Sequence, residues 1–223
     1  MKGYNKGRAT MKEILDQLAN RKPGLMHENN YFVSAVLLPL VAIQGEMHIL
    51  FEVRAENLKI QPGEICFPGG RVEKQERRFP QEAAVRETAE ELGIPREKIR
   101  LAGPLDILAT PQGRLVYPFV GELLTREFRP NPKEVAEVFF VPLKFFFDHP
   151  PGVSSTEVAV RYGADFPYAR IPPSYGRDWR VCWVFPSYYF EYGKYFIWGL
   201  TATILHHFLG LCWPERFKTL SLT

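Results

Sequence analysis

One continuous stretch, residues 63–94, constrains the fold of this chain most, because it contains the start and stop signals of several elements. An apolar run ending at Phe67 predicts a strand, and the Pro-Gly-Gly that follows it predicts a turn. After a charged loop, Pro80 suits the first position of a helix, and Gly93 with a proline two residues later predicts its end. The stretch is therefore predicted to form a strand, a turn, a loop and a helix of about three to four turns.

The predicted helix carries three acidic side chains on one face. At about 100° per residue, with Glu87 at zero, Glu91 falls at about 40° and Glu90 at about 300°. Clustered carboxylates repel each other, and their oxygens suit Mg²⁺ or Mn²⁺. We therefore predict a metal site there, the alternative being a solvated acidic face. Ala83 and Ala84 lie among the acids and leave the approach open. A separate arc is predicted to face the core and contains Val85, Thr88, Ala89 and Leu92.

These residues resemble a Nudix box, the signature of enzymes that hydrolyse nucleoside diphosphates linked to another moiety. The matching positions are Gly70, Glu76, Arg86, Glu87, Glu90, Glu91, Gly93 and Ile94. Nine residues, two more than the usual seven, separate Glu76 from Arg86, so either Glu76 or Glu82 takes the role of the first glutamate. The resemblance implies a catalytic group of Glu87, Glu90, Glu91 and Arg86, with Arg86 as an orienting ion-pair partner. It implies that Mg²⁺ or Mn²⁺ is bound by Glu87, Glu91, Glu90 and Gly70.

The stretch from Arg54 to Gly70 resembles the extra motif that precedes the box in the coenzyme A pyrophosphatase branch of this family. Ala55 and Gln61 depart from it, since that branch usually has Ser and His there. The turn that begins at Thr110 and the C-terminal run FIWGLTATILHHF also resemble this branch. The candidate substrate contacts are Arg54, Lys59, Arg71 and Arg114, and a possible extra base or metal ligand is Glu134 or Glu137.

The resemblance implies an α/β fold, a Nudix-type α/β/α sandwich with a mixed β-sheet, over most of the chain. Apolar runs at 31–41 and 47–54 predict a hairpin, and further strands are predicted at 99–109 and 115–124. We expect an N-terminal helix and linker over 1–30, the Nudix hydrolase domain over 31–213 and a C-terminal tail over 214–223. Thr10 is the predicted cap of the N-terminal helix, which extends to Asn20.

The composition limits which binding partners and which cellular compartment are expected. The net charge of +3 gives no reason to expect nucleic-acid binding. Three widely spaced cysteines predict reduced thiols and a cytoplasmic location. The longest apolar stretch, 195–213, is interrupted by glycines and histidines and is predicted to be a core strand and helix, with no membrane contact. The expected partner is a small-molecule nucleotide, and a homodimer is left open.

The predicted function is metal-dependent hydrolysis of a diphosphate linkage in a nucleotide conjugate. The preferred substrate is coenzyme A or its derivatives, which would give 3′,5′-ADP and 4′-phosphopantetheine or its acyl form. One alternative is a Nudix pyrophosphatase acting on ADP-ribose, a dinucleotide or an oxidised nucleoside triphosphate. The other is a Nudix domain that senses a nucleotide without cleaving it. The three clustered acids favour an enzyme over a sensor.

Overall fold

The computed structural model describes residues 10–19, 21, 25–27 and 30–217, which fall into two compact units, 1–31 and 32–223. The first unit contains helix α1, Met11–Ala19. Its start is a reciprocal cap, because the Glu13 N–H donates to Thr10 Oγ1 (3.3 Å) and the Thr10 N–H donates to Glu13 Oε2 (2.7 Å). The predicted cap at Thr10 is confirmed, whereas Asn20 and the predicted linker residues 22–24 lie outside the described residues.

The second unit is built from strands and helices in a mixed order. The strands are β1 Phe32–Ile43, β2 Glu46–Arg54, β3 Ile65–Cys66, β4 Gly69–Arg71, β5 Ile99–Pro104, β6 Leu108–Ala109, β7 Arg114–Leu123, β8 Val135–Pro142, β9 Gly152–Val160, β10 Arg180–Tyr192 and β11 Tyr195–Trp198. The helices are α2 Pro80–Leu92, α3 Leu143–Asp148 and α4 Gly199–Cys212. The single strand predicted over 99–109 is wrong, since it breaks between β5 and β6.

The main sheet is mixed, with the order β3-β2-β1-β7-β5. Strands β1 and β7 are parallel, whereas β2, β3, β4, β5, β6 and β8 all join by antiparallel pairing. The predicted hairpin of β1 and β2 is confirmed, and its turn at Gln44 and Gly45 uses positive φ angles of 51° and 85°. Because β4 pairs with β1, the central strand of this order, the glycines of β4 lie next to the middle of the sheet.

Helices cover both faces of this sheet. Alternate residues of β1 point to opposite faces, and Leu38 belongs to an apolar cluster with Ile204 and Leu205 of α4. Ala35 and Leu37 point to the opposite face from Leu38 and are fully buried there. On that face, α2 packs against β1, β4 and β7. The predicted α/β/α sandwich with a mixed sheet is confirmed.

A second antiparallel sheet, in the order β11-β10-β9, leads into α4. The predicted core strand and helix within 195–213 correspond to β11 and α4, and α4 buries Ala202, Leu205 and Leu209. No helix in the described ranges is both long and apolar enough to cross a membrane. Phe217, beyond α4, also packs into the apolar cluster.

Candidate active site

Two glycines bring strand β4 into close contact with its neighbours. A Cβ at Gly69 would lie 2.4 Å from the carbonyl oxygen of Ala35 on β1. A Cβ at Gly70 would lie 2.4 Å from Cδ of Glu87 on α2. Because real Cβ atoms do not approach other atoms so closely, only glycine fits at either position without movement of the strand or the carboxylate.

Helix α2 presents its acidic edge to residues 68–70, which are named the glycine turn here. The predicted turn is wrong for Gly69 and Gly70, and the predicted loop is wrong for Arg71, since these three residues form strand β4. It begins with Pro80 at its first turn and ends at Gly93 in the left-handed conformation (φ 62°), as predicted. The Gly69 N–H donates to Glu91 Oε2 at 2.7 Å. The expected separation of an acidic arc from a core arc is wrong, because Glu91 is buried and Ala83 and Ala84 are fully buried. The contact with the glycine turn rotates the acids toward the sheet.

Arg86 connects three carboxylates at this edge. Its Nε and Nη2 donate to the two oxygens of Glu76 at 2.8 and 3.0 Å, and its Nη1 donates to Glu87 Oε1 at 2.8 Å. Its Nη1 also lies 3.6 Å from Glu90 Oε2. Glu76 is buried and takes the ion-pair position, whereas Glu82 is exposed. Of the two alternatives for the first glutamate of the box, the structure therefore brings Glu76 to Arg86.

The three acids of α2 have different surroundings. Burial raises the pKa of Glu91 to about 8, and the charges of Glu87 and Glu134 add to the rise against the Gly69 hydrogen bond. Burial also raises the pKa of Glu87, although the hydrogen bond from Arg86 opposes the rise. The side chain of Glu90 is 57% exposed, and its one ion pair among the described residues is with Arg86. Glu91 and Glu87 are thus the inward-facing acids.

A fourth acid, Glu52, lies on β2 and was not among the predicted site residues. Phe51 and Val53 pack on the α4 face of the sheet, so strand alternation places Glu52 and Arg54 on the α2 face. Glu52 is 1% exposed, and its Oε1 has no hydrogen-bond partner among the described residues. Burial raises its pKa strongly, and the Glu91 charge adds to that rise. One charged residue within the buried run ILFEV was the sequence signal that could have revealed it.

The two glutamates considered as an extra base or ligand lie in different environments. Glu134 precedes β8, accepts a hydrogen bond from Asn131 at 2.9 Å, and raises the pKa of both Glu87 and Glu91 through its charge. Glu137 instead pairs with Lys194 at 3.0 Å and accepts a hydrogen bond from Tyr195 at 2.5 Å. The structure therefore places Glu134 beside the acidic cluster and Glu137 beside β11.

The four basic residues predicted to contact the substrate lie in different parts of the structure. Arg54 lies at the acidic cluster, where its Nη2 donates to the Ile60 carbonyl (3.3 Å) while its buried Nε has no partner among the described residues. Lys59 is exposed in the following loop. Arg71 and Arg114 lie together, because the guanidinium carbon of each is 5.8 Å from the centre of the Phe32 ring. Phe32, Arg71 and Arg114 thus form one basic aromatic group, although the two arginines are 43 positions apart in the chain.

A cleft of about 360 Å³ lies near the glycine turn and is lined by residues 104–107 and 117–119. Ala35 of β1 pairs with Gly70 on one side and with Tyr117 on the other. Two strand spacings of about 4.8 Å therefore separate Gly70 from the Tyr117 wall of the cleft. A volume of this size falls within the range of small-ligand sites.

The donor atoms of this region fit a hard divalent cation. Carboxylate oxygens are the ligands that Mg²⁺ and Mn²⁺ prefer, and the buried Glu52 Oε1 has no partner in the described part of the chain. Within the same described residues, no three acidic, histidine or cysteine side chains already converge as a complete ligand set. An incomplete set of protein ligands is compatible with Mg²⁺, because this ion keeps several waters and also binds substrate phosphates.

Comparison with known proteins decides the family. A sequence model of the NUDIX domain matches residues 32–161, more than half of the chain. The chain belongs to the Nudix family. This match includes the glycine turn, all of α2 and strands β1 to β9.

Individual Nudix relatives extend this result. The chain is 37% identical over 134 residues to the peroxisomal coenzyme A diphosphatase NUDT7 of Mus musculus, a match that spans 59% of this chain and only 55% of the mouse protein. It is 32% identical over 185 residues to the uncharacterized Nudix hydrolase NudL of Photorhabdus laumondii, covering 82% of this chain and 86% of that protein. The crystal structure of the M. smegmatis Nudix hydrolase RenU covers 54% of this chain and 78% of that chain, with 25% identity and a TM-score of 0.45.

Proposed function

We propose that this Nudix enzyme is a divalent-metal-dependent pyrophosphohydrolase acting on coenzyme A or its acyl derivatives. The observation that carries the proposal is the position of Glu91, which is buried against the glycine turn, accepts the Gly69 N–H and lies beside Glu87. A diphosphate linkage resists attack because its own oxygens repel the nucleophile. Glu91 has no ion-pair partner among the described residues, so its carboxylate beside the glycine turn is available to a metal ion that would assist a reaction of this kind.

Each residue of the cluster has a proposed role. Glu87 and Glu91 would hold Mg²⁺ or Mn²⁺, with Glu90 at the exposed rim and Gly70 giving the substrate close access to the backbone. When bound, the ion neutralises phosphate charge and lowers the pKa of a water that attacks phosphorus. Arg86 keeps Glu87 in place through its 2.8 Å hydrogen bond and is itself fixed by Glu76. Glu134 is the better placed candidate for an additional base or ligand, because its charge acts on both inward-facing acids.

The choice of coenzyme A depends on three supports. The first is the motif from Arg54 to Gly70, and the second is the 37% identity to a mouse protein named as a coenzyme A diphosphatase. The third is the basic aromatic group of Phe32, Arg71 and Arg114, which offers a ring for stacking and two cations for a further phosphate. Coenzyme A carries such a phosphate on its ribose, in addition to the diphosphate that is cut.

The proposal also covers the cellular compartment and the oligomeric state. Cys66, Cys182 and Cys212 are all free thiols, which suits the reducing cytoplasm predicted from the sequence. A homodimer stays a prediction, and light scattering coupled to gel filtration would measure the mass of the purified protein.

A substrate panel tests the activity. The purified protein with Mg²⁺ or Mn²⁺ is incubated with coenzyme A, dephospho-coenzyme A, ADP-ribose, a dinucleoside polyphosphate and a nucleoside triphosphate, and products are separated by mass. We expect 3′,5′-ADP and 4′-phosphopantetheine from coenzyme A. Cleavage of another diphosphate while coenzyme A stays intact would show that the proposed substrate is wrong. Binding of a nucleotide with no cleavage would favour the sensor.

Variants connect the activity to the acids. Glu87→Gln and Glu91→Gln should each lower kcat by orders of magnitude while far-ultraviolet circular dichroism stays unchanged, because each substitution removes a ligand charge. Glu137→Gln is the matched control, since this residue pairs with Lys194 away from the cluster. Turnover close to wild type in both site variants would remove the carboxylate cluster from the mechanism.

A further inference from the structure

The acid on β2, Glu52, is buried more completely than any acid of α2. It is 1% exposed, compared with 6% for Glu91. Its directly opposite residues on the two neighbouring strands are Cys66 of β3 and Val138 of β8. Neither of these two residues has a cationic side chain, so strand pairing supplies no ion-pair partner for the carboxylate.

No basic side chain in the described part of the chain forms an ion pair with Glu52. No lysine, arginine or histidine nitrogen there lies within 4.0 Å of its oxygens, and its Oε1 has no hydrogen-bond partner. Arg54, whose charge acts on Glu52, donates from Nη2 to the carbonyl of Ile60, and its Nε has no partner among the described residues. A charged buried carboxylate without a partner is strongly unfavourable, so either a proton or a bound cation has to compensate it.

Glu52 lies on the same face of the sheet as the acids of α2, because its strand neighbours Phe51 and Val53 pack on the α4 face. Of the charges around it, that of Glu91 acts on it most strongly, ahead of the opposing charge of Arg54 and that of Glu134. Two buried acids, Glu52 of β2 and Glu91 of α2, therefore lie on the same side of the sheet, and Glu91 is held there by the Gly69 N–H. Two like charges brought together in this way repel unless a cation or a proton lies between them.

We propose that Glu52 is a further ligand of the divalent metal, holding the ion from the sheet while Glu87 and Glu91 hold it from the helix. This inference rests on the proposed function, because it needs the metal site at α2. It explains why an acid is buried in the middle of an otherwise apolar strand. Oxygen ligands from two rigid elements also fix an ion more firmly than ligands from one helix.

Direct binding of Mn²⁺ tests this role without any substrate. Free Mn²⁺ is measured by electron paramagnetic resonance during titration of wild type, Glu52→Gln, Glu91→Gln and the control Glu46→Gln. Glu46 begins the same strand and is exposed, so its substitution should leave the Kd unchanged. We expect Glu52→Gln to raise the Kd for Mn²⁺ by about 10- to 100-fold, the range known for residues that support a metal site.

Thermal unfolding supplies the second readout. In EDTA, Glu52→Gln should be at least as stable as wild type, because the substitution removes a buried charge that has no partner. In saturating Mn²⁺, the rise in Tm of wild type should be larger than that of Glu52→Gln. If the glutamine variant does not fold, Glu52→Asp keeps the charge but withdraws the oxygens, and the same loss of Mn²⁺ affinity is expected.

The outcomes separate the two proposals. Weak Mn²⁺ binding by Glu91→Gln with wild-type binding by Glu52→Gln would overturn the role of Glu52 and leave the proposed function intact. Wild-type binding by both variants would refute the metal site at α2 as well. Wild-type affinity in Glu52→Asp, should that variant be needed, also overturns the inference.

Discussion

Replacing Glu76 with glutamine removes the charge that fixes Arg86. In the native chain both carboxylate oxygens of Glu76 accept from Arg86, at 2.8 and 3.0 Å, and Oε2 also accepts the Glu73 N–H at 2.9 Å. Glutamine keeps one acceptor oxygen and turns an NH₂ group toward the guanidinium. The substitution therefore weakens the link between the loop before α2 and the arginine that holds Glu87.

The expected loss follows from the charge and burial of this pair. Hydrogen bonds to charged groups contribute about 1.5–3 kcal/mol. The side chains of Arg86 and Glu76 are 17% and 8% exposed, so solvent screens them little. With one acceptor retained, we expect the free energy of unfolding to fall by about 2 kcal/mol. For a chain of this length that lowers Tm by about 4–8 °C. Activity should fall as well, because Glu87 loses its fixed neighbour.

Urea unfolding measures this loss, with Glu82→Gln as the matched control. Glu82 is an exposed acid in the first turn of the same helix and the alternative candidate for the Glu76 role. Its substitution should change the free energy of unfolding by less than about 0.5 kcal/mol. A loss in Glu82→Gln as large as that in Glu76→Gln, or no loss in either, would refute the assignment of the ion pair.

The pH dependence gives a second check on the same pair. The hydrogen bonds from Arg86 hold the pKa of Glu76 below its ordinary value of 4.5. As the pH falls, the unfolded chain therefore takes up a proton at this position before the folded chain does. The stabilisation is present above about pH 4.5 and disappears as the pH drops through the lower folded-state value. The difference in stability between wild type and Glu76→Gln should shrink accordingly below that pH.

Two further predictions concern the glycine turn and the buried acid. Gly70→Ala should lower kcat by at least tenfold, because its Cβ would displace the Glu87 carboxylate from which it is 2.4 Å away; Gly103→Ala, with open space around its Cβ, should not. In EDTA, wild type should lose stability as the pH rises from 5 to 8, since burial raises the pKa of Glu91 to about 8 and folding then favours its protonated form. Glu91→Gln should flatten this dependence in thermal unfolding, whereas Glu90→Gln should retain it, and equal slopes in both variants would contradict the assignment.

Local sequence signals predicted the ends of α2 well, whereas long-range contacts determine which face of the helix is buried. Pro80 and Gly93 act within one helical turn, so both ends of α2 agree with the prediction. The angular position of Glu91 was also correct, yet a helical wheel does not say which arc meets the sheet. That choice depends on the Gly69 N–H, 22 residues away in sequence, which donates a hydrogen bond to the buried carboxylate of Glu91. Glu52 was missed because strand patterning treats an isolated charge as an exposed residue.

The longer loop before α2 shows why ion-pair geometry is a firmer guide than spacing. Two additional residues separate Glu76 from Arg86 relative to the usual box, yet their side chains meet in a bidentate pair. Consecutive turns absorb the extra length, since the Glu76 N–H donates to the Glu73 carbonyl (3.0 Å) and the Phe79 N–H to the Glu76 carbonyl (2.7 Å). Because each turn is closed by its own backbone hydrogen bond, the insertion lengthens the path without moving its ends. Chains with other loop lengths should therefore retain this pair wherever such turns bring the loop back to the arginine.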